Sequence, residues 1–195
     1  LHLCSHNLET IETTSMTTNK LLLEVCMAAY YEGDSIRDYY TIHQQTNNDS
    51  AAELCTVLAR SFADIGDIVR GRDLFRGNDK EKDQRKKLEK NLKDIFKQIH
   101  EGLKNGKNWQ TLQKRYKGDA PYYYQLREDW WTANRETVWK AITCDVKSGN
   151  NYFRATCSDS GDNEKTGTLT PSQCRCPNGN NQVPTYFDYV PQYLR

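Results

Sequence analysis

The sequence predicts an all-α fold: a disulfide-stapled helical bundle with a loop-rich N-terminal subdomain and a cysteine-rich irregular C-terminal segment. Three observations carry this. Apolar residues recur at helical spacing in successive segments, whereas no period-2 run is long enough to argue for a sheet and no internal repeat is present. Seven cysteines are irregularly spaced, four of them between Cys144 and Cys176. Beyond Cys144 the composition turns to Gly, Ser, Asn and Asp, and four of the five prolines lie between Pro171 and Pro191, so disulfides take over from a core there. A length of 195 residues suits one ordinary domain or two small subdomains. Four Trp, twelve Tyr and five Phe supply bulky burial to a chain that is only 36% hydrophobic.

Taken in order, the first fifty residues read as a polar loop followed by short helices. Leu22, Leu23, Val25, Cys26 and Ala29 have helical spacing after Asn19, and Gly33 is the expected stop. A second short helix starts at Asp34 or Ser35 and carries Ile36, Tyr39, Tyr40 and His43. The triplet Asn48-Asp49-Ser50 matches the N-glycosylation sequon, a pattern too common by chance to weigh. Ser50-Ala51-Ala52-Glu53 is a capping box, followed by an apolar stripe at Leu54, Val57, Leu58, Phe62, Ile65, Ile68 and Val69. Arg60, Asp64 and Asp67 fall on the other face and read as solvated surface, and Arg70-Gly71-Arg72 breaks the pattern.

A long helix is expected from about Glu81 to Asn105, with the seam Leu88, Leu92, Ile95, Ile99 and Leu103 and a stop at Gly106. At 100° per residue Lys86, Lys90, Lys93, Lys97 and Lys104 share the opposite arc, a stripe extending roughly 27 Å. Lys80 to Lys117 holds thirteen Lys and Arg against five Asp and Glu, so a chain of net charge +1 is segregated into a block of +8 and a remainder of −7. Such a block attracts polyanions by steering and counterion release. The competing account is a solvated lysine face balanced by Glu89, Asp94 and Glu101. Asp119-Ala120-Pro121 opens a further helix with two apolar stripes, Tyr123, Leu126, Trp130, Ala133 and Ala141 beside Tyr124, Trp131, Val138 and Ile142. Trp139 lies on neither and is expected to be partly exposed as a contact residue.

Cys4, Cys26, Cys55, Cys144, Cys157, Cys174 and Cys176 point to an oxidising compartment and are all disulfide candidates. Their odd number leaves one thiol free, paired between chains, or parted from its partner by truncation. Truncation is the reading adopted, because the chain opens and closes without a Met or a terminal tail. Buried reduced thiols and a zinc site are weaker alternatives: no C-x-x-C occurs, and the alternation His2, Cys4, His6 sits on a chain terminus. No cofactor and no metal are expected. No run approaches the roughly 20 apolar residues of a bilayer crossing. Nucleophile-elbow, phosphate-loop and H-E-x-x-H signatures are absent, so no catalytic residues are assigned and an enzyme is not expected.

Leu1-His2-Leu3-Cys4, Leu21 to Cys26, the run Leu54 to Phe75, Trp130-Trp131 with Asn134-Arg135 and Val138-Trp139, Cys174-Arg175-Cys176, and Phe187 to Arg195 together resemble the Duffy-binding-like alpha domain of falciparum malaria erythrocyte membrane protein 1, across essentially the whole chain. The resemblance implies a cysteine-rich, mainly helical adhesion domain. It would be displayed on the extracellular face of the infected erythrocyte membrane by a larger single-pass protein and varied to evade host antibodies. It implies rosetting and cytoadherence through host erythrocyte or endothelial receptors, including heparan-sulfate-like glycans, complement receptor and blood-group sugars. It divides the chain into a loop-rich first subdomain (1–49), a helical-bundle second subdomain (50–186) and the start of a truncated third (187–195).

The residues and the resemblance together predict a host-cell adhesion module. A sulfated glycan such as heparan sulfate is the leading ligand, held by Lys86, Lys90, Lys93, Lys97 and Lys104 with Lys107 and Arg115. The alternative is a protein-receptor-binding or mainly antigenic module using Trp139 or Tyr186 to Tyr193. A nucleic-acid partner would use the same basic helix but is disfavoured by the extracellular character, and membrane attachment would come only through segments outside this chain.

Overall fold

The computed structural model describes residues 17–47, 52–74, 77–104, 106, 109–146, 174–176 and 183–195, with the side chains of 41–47, 52 and 53 excepted. Its helices are α1 (Thr18–Asn47), α2 (Ala52–Arg70), α3 (Asp79–Leu103), α4 (Trp109–Arg115) and α5 (Tyr124–Ile142), followed by two short 3₁₀ turns, Phe187–Tyr189 and Gln192–Leu194. Among the described residues there is no strand, and no helix is long and apolar enough to cross a membrane. The sequon, the Ser50 capping residue and the His2, Cys4 and His6 alternation lie outside the described residues.

α5 is the central element, packed by α1, α2 and α3. One apolar cluster runs from Leu21 and Val25 of α1 through Leu58 and Phe62 of α2 and Leu92 and Phe96 of α3 to Trp130 and Trp131 of α5. The expected stop at Gly33 is not there: α1 passes through it without a break. A Cβ at Gly33 would lie 2.1 Å from the Ile142 carbonyl oxygen, so the residue is glycine because the backbones of α1 and α5 touch there. Gly66 on α2 instead leaves room for a side chain, since its Cβ would meet the Trp131 ring at 2.8 Å.

The α2 stripe is buried as expected, with Val57 half-buried. The helix ends where Arg70-Gly71-Arg72 foretold, in a Schellman motif. Gly71 takes φ 72°, its N–H donates to Ile68 O at 3.1 Å, and the Arg72 N–H donates to Asp67 O at 2.8 Å. Asp67 is a correction. It is buried and pairs with Arg70 at 3.0 Å and with Arg195, because the C-terminal segment covers the face read as solvent; Asp64, half-buried, lies 3.5 Å from Arg195. Burial raises the Asp64 pKa and lowers that of Arg195.

Asp188 anchors that segment. It is buried and accepts from Trp131 Nε1 at 2.9 Å and from Arg135 Nε and Nη2 at 2.8 Å each, while Arg70 donates to its backbone carbonyl. Cys55 of α2 is bonded to Cys174, 119 residues away, with Cα atoms 5.6 Å apart. Cys176 is also disulfide-bonded, whereas Cys26 and Cys144 are free thiols and Cys4 and Cys157 lie outside the described residues. Burial pushes the Cys26 thiol up to about 11.

Trp139 is a second correction. Its side chain is 0% exposed and its indole N–H donates to the Cys174 carbonyl at 3.1 Å, so the tryptophan lies beneath the disulfide instead of meeting a partner. Ala133 and Tyr124, placed on the apolar stripes of α5, are exposed. Asp119 caps α5 from a distance, its carboxylate accepting from the backbone N–H groups of Gln125 and Leu126 at 2.9 Å. α4 was not foreseen; its Leu112 and the neighbouring Tyr116 pack on the core.

Candidate functional site

α3 begins two residues before the capping acid Glu81, with Asn78 as its N-cap. The Asn78 side chain accepts from the Glu81 N–H and the Glu81 carboxylate accepts from the Asn78 N–H, both at 2.9 Å. Leu88, Leu92, Ile95, Phe96 and Ile99 are buried, and Leu103 is half-buried at the end. Burying this seam turns the opposite arc outward. Lys86, Lys90, Lys97 and Lys104 are exposed and Lys93 is half-buried. Lys86 lies 3.2 Å from Asp83, while Lys90, Lys97 and Lys104 have no ion-pair partner among the described residues.

The acid expected to balance this face is engaged elsewhere. Glu89 forms a two-pronged pair with Arg127 of α5, Nη1 to Oε1 at 2.8 Å and Nη2 to Oε2 at 2.9 Å. Arg127 is completely buried and also donates to the carbonyls of Val69 at 2.6 Å and Ile68 at 3.0 Å, the open end of α2. One arginine therefore joins three helices and takes up most of the Glu89 charge, leaving Lys93 at 3.8 Å as a secondary partner. Asp94 and Glu101 remain exposed on the flank.

Between α3, the end of α2 and the start of α5 lies an open groove of about 580 Å³. Ile68, Leu88 and Leu92 give it an apolar base, and Lys82, Arg85, Lys86, Lys90 and Lys93 surround it, against the carboxylates of Asp73 and Glu89. Arg85 is 3.5 Å from Asp73. Five cations and two carboxylates thus line the groove, and Lys82 also pairs with Asp79 at 3.1 Å, so cations outnumber acids along its walls.

The other expected contributors do not join it. Arg115 holds Asp129 at 2.5 and 2.6 Å, an arrangement that keeps the Asp129 carboxyl below the usual carboxylate range and raises Arg115 itself. Tyr116 donates to the same carboxylate at 2.9 Å, and burial and that neighbour raise its phenol. Lys107 lies outside the described residues. Tyr186, Tyr189, Val190, Tyr193 and Leu194 of the C-terminal segment are exposed, and Arg135 sits 5.4 Å from the ring centroids of both Tyr186 and Tyr189. Among the described residues no group of His, Cys, Asp and Glu could hold a metal ion.

The Duffy binding domain family profile matches residues 1–195. The chain belongs to the Duffy binding domain family. Among solved structures, this Duffy-binding chain is similar to the N-terminal NTS-DBL1-alpha and CIDR-gamma double domain of PfEMP1 from the Plasmodium falciparum varO strain, at 39% identity, TM-score 0.73, covering 99% of this chain and 25% of that one. The NTS-DBL1-alpha-1 domain alone, from the same strain, matches at 39% identity and TM-score 0.71, covering 99% and 40%. A PfEMP1 DBL-beta domain bound to ICAM-1 matches at 32% identity and TM-score 0.68, covering 99% and 40%. The chain thus spans a quarter to two fifths of the length of these structures. No curated protein matches it.

Proposed function

We propose that this Duffy-binding domain is a host-cell adhesion module of a variant surface antigen, displayed outside the infected erythrocyte, and that it binds a sulfated glycan of the heparan sulfate class along α3. The observation that carries the reading is that three of the five lysines of the α3 face, Lys86, Lys90 and Lys93, line the groove with Lys82 and Arg85, while Lys97 and Lys104 extend the face beyond it. Kinship with DBL domains supports a receptor-binding role, since one such relative is described as bound to ICAM-1. No catalytic role is assigned. Division into subdomains at 49/50 and 186/187 belongs to the same reading.

Exposed ion pairs are each worth only about 0–1 kcal/mol, so affinity must come from many sulfates engaged at once and must fall with salt. The test is binding of the oxidised monomer to immobilised heparan sulfate across a salt series, beside a variant carrying Lys90→Glu, Lys93→Glu and Lys97→Glu. Steeply salt-dependent binding that the variant lacks is expected; equal binding by both proteins would sink the assignment. Competition with duplex DNA separates a glycan from a nucleic-acid partner.

A second reading has its own support, the exposed strip Tyr186, Tyr189, Val190, Tyr193 and Leu194. A protein receptor or host antibody docking there would bury apolar surface and respond little to salt.

A further inference from the structure

Three consecutive tyrosines, Tyr122 to Tyr124, lead into α5, and they do not share a fate. Tyr123 adopts a left-handed backbone, φ 56°, and turns its ring inward against His100, with centroids 5.5 Å apart. Its two neighbours are left outside: Tyr122 is 45% exposed and Tyr124 49% exposed. Their rings are parallel, 5.4 Å apart at 5°. A non-glycine residue in the left-handed region is a strained conformation that surrounding structure must hold. Here the strained residue separates an inward ring from a parallel outward pair that the core does not use.

The pair stands at the basic groove. Tyr124 lines it directly, beside Gly71, where a Cβ would come within 3.0 Å of the Tyr124 ring. Lys93, another lining residue, holds its Nζ 4.2 Å from the Tyr122 ring centroid. Cations and half-exposed aromatic rings therefore border one cleft, an arrangement that a ligand carrying only negative charge would not need.

We infer that the half-exposed Tyr124 ring, backed by the Tyr122 ring stacked on it, forms a sugar-stacking platform in this groove, so that the ligand is recognised as a sulfated saccharide and not merely as a polyanion. The inference rests on the glycan reading of α3. Lysines bind sulfate groups, which are at the periphery of each sugar. The C–H face of a pyranose ring is apolar and slightly electropositive, and it complements the electronegative face of a tyrosine ring. Lys93, whose Nζ lies over the Tyr122 ring, covers that ring and sets a sulfate-binding ammonium next to the Tyr124 platform.

The experiment compares two probes of matched charge, a heparin dodecasaccharide and inorganic polyphosphate, on the wild-type chain, the variant with Tyr122→Ala and Tyr124→Ala, its Tyr→Phe counterpart and the triple lysine reversal. Helix content and unfolding midpoint confirm that each variant is folded. The alanine variant should lose about threefold to tenfold in affinity for the saccharide relative to polyphosphate, and the phenylalanine variant should restore it, because the ring face is kept. An unchanged ratio in the alanine variant, with lysine-dependent binding intact, would overturn the stacking platform alone. A wild-type chain that binds neither probe would overturn the glycan reading and the platform with it.

Discussion

The seam between α2, α5 and the C-terminal segment and the outer face of α3 are built from the same residue types, and they use them in opposite ways. In the seam, Asp67, Arg70, Arg127 and Asp188 are buried, and every one has a partner on another element or at a helix end. On α3, Lys90 and Lys97 stand in water with no ion-pair partner among the described residues. Desolvated charges are kept only where geometry satisfies them, and removing one partner strands the other. Solvated charges cost the fold almost nothing, which leaves them available to a ligand.

The comparison breaks most readily at Asp188. Asp188→Ala strands Arg135 and the Trp131 indole, and should cost about 3–5 kcal/mol by chemical denaturation. A loss under 1 kcal/mol would mean that the seam is incidental. Replacing Cys55 and Cys174 together should cost a similar or slightly smaller amount, about 3–4 kcal/mol, since the bond closes 119 residues of chain. Gly33→Ala forces a methyl onto the Ile142 carbonyl and should cost about 1–3 kcal/mol, read as a lower unfolding midpoint.

pH sharpens the contrast further. Arg115 holds the Asp129 carboxyl below its ordinary value, so this pair contributes stability that is complete above the unfolded carboxylate pKa, about 4, and is lost as pH falls through the lower folded value. The stability gap between the wild-type chain and Asp129→Asn should therefore narrow on acidification from neutral pH; a gap that is constant down to about pH 2 would contradict the assignment. The smallest effect belongs to α3: reversal of Lys90, Lys93 and Lys97 should move unfolding free energy by no more than about 0.5 kcal/mol.

The same contrast explains how much could be read from the chain alone. The α3 seam and its lysine face follow from one helix's periodicity, as do the buried stripe of α2 and its Gly71 ending. Periodicity puts Asp67 on a solvated face because its partner Arg195 is 128 residues away, and a helical wheel contains no such neighbour. Gly33 resembles a helix stop in sequence because its reason for being glycine is the Ile142 carbonyl on another helix. Periodicity leaves Trp139 partly exposed because the Cys174 carbonyl that receives its N–H comes from a cysteine-rich segment with no period to place it. Of the candidate site, the lysines were legible, but the apolar base from α2, the diversion of Glu89 to Arg127 and the outward turn of Tyr122 and Tyr124 all depend on tertiary packing or on one left-handed residue.

Lysine footprinting tests the central claim without altering a residue. The native, oxidised chain is acetylated at limiting reagent with and without heparan sulfate, and each lysine is quantified by mass spectrometry. Lys86, Lys90, Lys93 and Lys97 should be protected in one block, while Lys20 and Lys140, which lie on α1 and α5, react as before. Protection spread evenly over all lysines, or confined to those outside α3, would contradict the account.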